Sequence, residues 1–131
     1  MSEAVVDASA LLAYLFDEPG AGVVAGALSA GACMSAVNLG EVLAKLSDRG
    51  VGVDQALSDF AGQGLLDALE IVDFNLANAE EAARLRHATK DIGLSLGDRA
   101  CLALGRIRNS QVLTADLLWA KVQGIDVTPI R

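Results

Sequence analysis

The stretch Glu3-Ala4-Val5-Val6-Asp7-Ala8-Ser9-Ala10-Leu11-Leu12-Ala13-Tyr14-Leu15-Phe16 decides the fold. Ala4, Val5 and Val6 read as a short buried strand. Asp7 stops it, and residues 8–16 read as a helix that is apolar on nearly every side. An Asp at the carboxyl end of a strand, directly before a helix, stands where open α/β sheets bind ligands. Ser9, two residues on, offers a hydroxyl to hold the carboxylate's orientation. What the chain does then depends on whether other acids reach the same edge.

The remaining sequence repeats the change from strand to helix. Residues 20–30 carry Val23, Val24, Ala27 and Leu28 at helical spacing, with Pro19 suited to the first turn and Gly31 closing the element. Gly20, Gly22 and Gly26 weaken this helix, so it needs tertiary support. Residues 32–35 form a second strand. In the helix after it, Leu39, Val42, Leu43 and Leu46 make an apolar stripe, while Asn38, Glu41 and Lys45 share another face. Gly50 and Gly52 end that helix. Val53, Ala56, Leu57 and Phe60 repeat its period until Gly62 and Gly64 break it.

Residues 69–74 read as a third strand. Asn78 with Glu81 has the spacing of a capping box, opening a helix to about Lys90 with acids early and bases late. Ser95 with Asp98 has the same spacing and opens a helix with Ala100, Cys101, Leu104 and Ile107 inward. Residues 111–114 are a fourth strand. Asp116 begins a helix over 117–122, ended by Gly124. Residues 126–129 are a short last strand, where Pro129 suits an edge.

Short strands alternating with helices imply an α/β domain with a parallel sheet covered on both faces. The 131 residues suffice for one domain, 1–131, with a real core, and 53% hydrophobic against 21% charged residues excludes a disordered chain. No apolar run is long enough to cross a bilayer, and Met1-Ser2-Glu3 lacks the positive region of a secretion signal. Cys33 and Cys101 lie in apolar stretches and read as reduced core thiols of a cytoplasmic protein. The net charge of −7 argues against a protein that coats nucleic acid. It suits a carboxylate site that draws cations, or a basic partner.

Four acids stand in matched places: Asp7 and Asp116 directly after strands, Glu41 and Asp98 early in helices. If the first and fourth strands are neighbours, all four meet at the carboxyl edge of the sheet. Such a cluster repels itself and calls for a hard cation, of which Mg²⁺ is the natural choice. Each acid also has a plain alternative. Asp7 and Asp116 serve as N-caps, Glu41 closes a capping box with Asn38 or pairs with Lys45 on a solvated face, and Asp98 closes a box with Ser95. His87, the single histidine, falls late in a charged helix and reads as a surface residue. That leaves no Ser/His/Asp set, no phosphate loop and no Cys/His zinc pattern.

The segments 5–13, 35–42, 94–103 and 113–116 resemble the four acidic motifs of PIN-domain ribonucleases, and among them the VapC-type toxins of toxin–antitoxin modules. In this chain they read Val-Val-Asp-Ala-Ser-Ala-Leu-Leu-Ala, Ser-Ala-Val-Asn-Leu-Gly-Glu-Val, Leu-Ser-Leu-Gly-Asp-Arg-Ala-Cys-Leu-Ala and Leu-Thr-Ala-Asp. The likeness runs from Val5 to about Val127. It implies an α/β/α sandwich with about five short parallel strands ordered 3-2-1-4-5. It implies Mg²⁺- or Mn²⁺-dependent endonucleolytic hydrolysis of RNA, often tRNA or rRNA. Asp7, Glu41, Asp98 and Asp116 would be the catalytic, metal-binding acids, with Asp7 and Asp98 foremost as direct ligands. Glu41 would bind metal directly or through water, or orient the attacking water. Ser9, Asn38 and Thr114 would support them, and Arg99 would approach phosphate or pair with an acid. A homodimer and a cognate VapB-type antitoxin are also implied.

The alternatives are a catalytically silent PIN-fold binding or regulatory module, a receiver-like domain and a haloacid-type phosphatase. The four intact acids count against the first. A receiver would want an acidic neighbour for Asp7 and a Lys after the fifth strand. A phosphatase of that type would want Asp at position 9, where Ser9 stands.

Overall fold

Val5 and Val6 are both fully buried, yet they belong to two different cores. They are adjacent in β1 (Ala4–Val6), and successive strand residues point to opposite faces. The computed structural model describes residues 3–131. Met1 and Ser2, the beginning of the segment examined for a secretion signal and of the 1–131 domain, lie outside the described residues. In chain order β1 is followed by α1 (Ala8–Leu15), α2 (Ala21–Ala30), β2 (Ala32–Ser35), α3 (Ala36–Asp48), α4 (Val53–Gly62), α5 (Leu65–Ala68), β3 (Leu69–Val72), α6 (Leu76–Ala88), α7 (Leu96–Arg108), β4 (Val112–Thr114), a 3-10 helix (Leu117–Lys121) and β5 (Val127–Pro129).

The five strands form one parallel sheet in the order β3-β2-β1-β4-β5. This is the α/β/α sandwich expected from the motifs. Alternation along each strand supplies the two layers. Val6, Ala32, Met34, Leu69 and Leu113 pack with Ala10, Leu11, Val24, Val42 and Phe60 on one side. Val5, Cys33 and Val112 pack with Leu85, Cys101, Leu102, Leu104 and Trp119 on the other. Pro129 lies in β5, an edge strand, where its missing N–H breaks no ladder. No helix among the described residues is long and apolar enough to cross a membrane.

Several local expectations need correction. Pro19 stands before α2 rather than in its first turn, and Gly20 is the N-cap. Gly20 has φ +97°, and a Cβ there would come within 2.8 Å of Ile130. Asn78 does not cap α6; Asn75 does, accepting from Asn78 N at 3.1 Å. Glu81 instead meets Arg84 and Arg106. The short α5 has no counterpart in the sequence reading, and the last helix is a 3-10 element ending at Lys121. Ile107 is exposed because α7 is buried from Arg99 to Gly105 and its last turn emerges into solvent.

Cys33 and Cys101 are free and buried, as expected of core thiols. Burial pushes both thiols up from their ordinary value. Neither is expected to react with an aromatic disulfide reagent in the native protein, and both should titrate once it unfolds. Rapid native labelling of either would contradict that burial.

Candidate active site

At the carboxyl edge of the sheet, β1 lies beside β4, with Val6 opposite Leu113. The next residue on each strand is then Asp7 and Thr114, which meet across the edge. Thr114 Oγ1 donates to Asp7 Oδ2 at 2.7 Å. Ser9 Oγ lies 2.8 and 2.9 Å from the two carboxylate oxygens, and Ala10 N donates to Oδ1 at 2.7 Å, capping α1. Ser9 Oγ accepts from Ala115 N at 3.0 Å, and Thr114 Oγ1 accepts from Asp116 N at 3.0 Å. Two small hydroxyls therefore lock the first strand-to-helix turn to the end of β4.

The second half comes from α3 and α7. Asn38 is not a helix cap, since Ser35 caps α3. It lies buried inside the helix, where its Nδ2 donates to Glu41 Oε1 at 2.7 Å and to Gly97 O at 2.9 Å. It thus ties α3 to the first turn of α7. Asp98 and Ser95 form the expected capping box. Asp116 caps the 3-10 helix through Leu118 N at 2.9 Å. Among the described residues Glu41 and Lys45 make no ion pair.

The capping roles leave room for chemistry. Glu41, Asp98 and Asp116 each commit one oxygen to a donor of this chain. Glu41 Oε2, Asp98 Oδ1 and Asp116 Oδ2 accept no hydrogen bond among the described residues. All four acids, with Ser9 and Asn38, line one cavity of about 230 Å³. Lys45 and Trp119 line it too. The reading of the sequence did not place Trp119 there; its only signal was a lone tryptophan three residues after Asp116. Trp119 Nε1 and Asn38 Oδ1 are both buried without a partner among the described residues. Arg99 does not join the site. One residue beyond Asp98 on the helix, it turns toward α6, where Nη1 donates to Ala82 O at 3.2 Å. It makes no ion pair with an acid among the described residues.

Asp7 is 4% exposed, and its pKa is raised to about 6. Burial is the main cause. The hydrogen bonds from Thr114, Ala10 and Ser9 oppose it, and repulsion from Asp98 is the smallest contribution. The dominant effect is thus desolvation rather than the mutual repulsion expected of an acid cluster. The folded value lies above the unfolded one, so the folded protein binds this proton more tightly. In EDTA, stability should therefore decline as pH rises from about 4 through 6, by about 3 kcal/mol for this group. Asp7→Asn should flatten that part of the pH–stability curve; urea melts at several pH values read both.

The donor set fits a hard divalent cation. It consists of carboxylate oxygens, one of them desolvated and three without donors. No three acids among the described residues stand close enough to hold an ion together. An ion held here would rest on one or two of these carboxylates and on water, the way Mg²⁺ is commonly bound.

A family model described as "PIN domain" matches residues 4–125. No curated protein matches the chain. Among solved structures, the chain is similar to DNA-bound VapBC from Salmonella typhimurium, with 16% identity, 100% of each chain covered and a TM-score of 0.75. It is similar to FitAcB from Neisseria gonorrhoeae, with 20% identity, 97% of each chain covered and a TM-score of 0.75. A toxin–antitoxin complex from Klebsiella pneumoniae gives 20% identity, 98% coverage of each chain and a TM-score of 0.72.

Proposed function

This chain belongs to the PIN domain family, and from that premise we propose that it is a VapC-type toxin: a metal-dependent endoribonuclease that hydrolyses phosphodiester bonds in RNA, with tRNA or rRNA as targets. The observation that carries this reading is the convergence of Asp7, Glu41, Asp98 and Asp116 on one cavity, three of them with an uncommitted oxygen.

In this reading Asp7 and Asp98 would be the direct ligands of Mg²⁺ or Mn²⁺, with Glu41 and Asp116 acting directly or through water. These residues would hold the ion, which when bound would supply Lewis-acid polarisation of a phosphodiester oxygen and a water of lowered pKa. Glu41 Oε2 accepts a hydrogen from the attacking water and orients it. Asn38 fixes Glu41, and Ser9 and Thr114 fix Asp7, so these side chains do not reorganise during the reaction. A VapB-type antitoxin is the partner, and a homodimer the working assembly. The solved neighbour named as a toxin–antitoxin complex and the one named as VapBC support the former, and the −7 charge suits a basic antitoxin segment. The cytoplasm is the compartment in which such a toxin meets its RNA. The four intact acids count against a silent binding module.

The test is incubation of purified, partner-free protein with total bacterial RNA in Mg²⁺, in Mn²⁺ and in EDTA. Discrete fragments only with metal are expected. No fragments, together with no Mn²⁺ binding by electron paramagnetic resonance, would favour the binding module. Gly97→Ala probes the site without touching an acid. A Cβ at Gly97 would overlap the Glu41 carboxylate. Glu41 is exposed and able to swing away. Stability should therefore change little, while cleavage should fall about 10- to 100-fold through misplacement of that side chain. Unchanged cleavage rates would remove Glu41 from the mechanism.

A further inference from the structure

The chain has ten lysines and arginines. Arg84, Arg106, Arg108 and Arg131 are in ion pairs, and Arg49 lies over the Phe16 ring at 4.0 Å. Arg86, Lys90 and Arg99 make no ion pair among the described residues. All three line a second cavity, of about 210 Å³, between the end of α6 and the start of α7. Thr89, Gly93 and Leu94 complete its wall, and no carboxylate of the described residues lines it.

Arg99 gives this cavity its character. It is 9% exposed, and among the described residues its one hydrogen bond is from Nη1 to Ala82 O at 3.2 Å. Its Nε–H is buried with no acceptor among the described residues. A guanidinium carries five N–H donors in a planar fork that matches the oxygens of a phosphate. The dipole of α6 accounts for Arg86 and Lys90 near the helix end. It does not account for Arg99, which comes from α7 and is buried.

We infer that this cavity is a phosphate-binding site, and that it holds a backbone phosphate of an RNA strand whose cleaved bond lies at the acidic edge; the RNA part rests on the function proposed above. Asp98 and Arg99 are consecutive on α7, so their side chains diverge by about 100° from neighbouring backbone atoms. A strand crossing the first turn of α7 meets the acidic cavity on one side and the basic cavity on the other. In a chain of net charge −7, such a local cluster of cations is what offsets the general repulsion of RNA.

The test uses the full chain in EDTA, where binding is read without cleavage. A fluorescein-labelled single-stranded RNA oligonucleotide is titrated by polarisation over a series of KCl concentrations. Arg86→Gln/Lys90→Gln should weaken binding about tenfold near 0.1 M salt and make the salt slope shallower by about 0.7 to 1. The charge-matched Arg49→Gln/Arg131→Gln, away from the cavity, should change it less than about twofold. Inorganic phosphate should compete with the RNA and shift the Arg99 Nε–H resonance. Equal losses in the two double variants would overturn the site, since only general charge would then matter. A phosphate-induced shift at Arg99 with RNA affinity unchanged in Arg86→Gln/Lys90→Gln would overturn the RNA assignment, leaving a site for free phosphate. A response to a glutamate-rich peptide but not to phosphate or RNA would assign the cavity to a protein partner and overturn the proposal. The nuclease reading is judged separately. RNA binding through the cavity without cleavage in metal sinks that reading alone, and cleavage with no effect of the cavity variants sinks the site alone.

Discussion

In Asp7→Asn, metal-dependent cleavage of RNA is expected to fall by about two to three orders of magnitude while the fold persists. The amide oxygen of Asn can still accept from Ala10 N, which keeps the cap on α1. The amide nitrogen can donate to Thr114 Oγ1 or Ser9 Oγ, whose hydrogens are able to turn elsewhere. The charge is lost together with one carboxylate oxygen, and with them an anionic donor to a cation. Asp98→Asn makes the same point from the other half of the site. Its amide oxygen can keep the bond from Ser95 N, while the oxygen free of donors is replaced by an NH2 group that cannot ligate a cation. Cleavage assays beside thermal melts separate chemistry from folding. Retained activity in either folded variant would sink the assignment of the acids.

Trp119→Ala is expected to lower stability by about 3 to 5 kcal/mol. Trp119 is 1% exposed and heads the fully buried side chains by volume. It joins the core beneath α6 and α7 while also lining the acidic cavity. Its removal leaves a void beside the 3-10 helix that carries Asp116, so cleavage should fall as well. Trp119→Phe should behave differently. Phe loses part of the packing area but also removes the Nε1–H that is buried without an acceptor. These effects oppose one another, and the net change should stay within about 1 kcal/mol. Urea midpoints of the two variants provide the comparison. A Trp119→Phe protein as unstable as Trp119→Ala would mean that Nε1 has an essential partner.

The parts of the fold legible in the sequence were those governed by local rules. β1, β2 and most helix spans followed from apolar period and breakers, and Gly31 closed α2 where expected. Errors arose where two local signals competed. Asn75 and Asn78 are both plausible caps, and the backbone's use of Asn75 depends on where the chain leaves β3. Ile107 fits the inward stripe of α7, but the stripe carries no mark of where the core ends.

The sequence by itself determined the strand-and-helix alternation and the four acids in their places at element ends, because dihedral preferences, caps and period act within a few residues. Tertiary structure alone decided what those acids could do together. The pairing of β1 with β4 joins residues more than a hundred positions apart and sets Thr114 against Asp7. The approach of α3 to α7 makes Asn38 a bridge from Glu41 to Gly97. Arg99, read beside Asp98 as a partner of the same site, turns instead to α6. Neighbours on a helix point about 100° apart, and only the packing of α7 between its neighbours settles which of them faces the sheet edge.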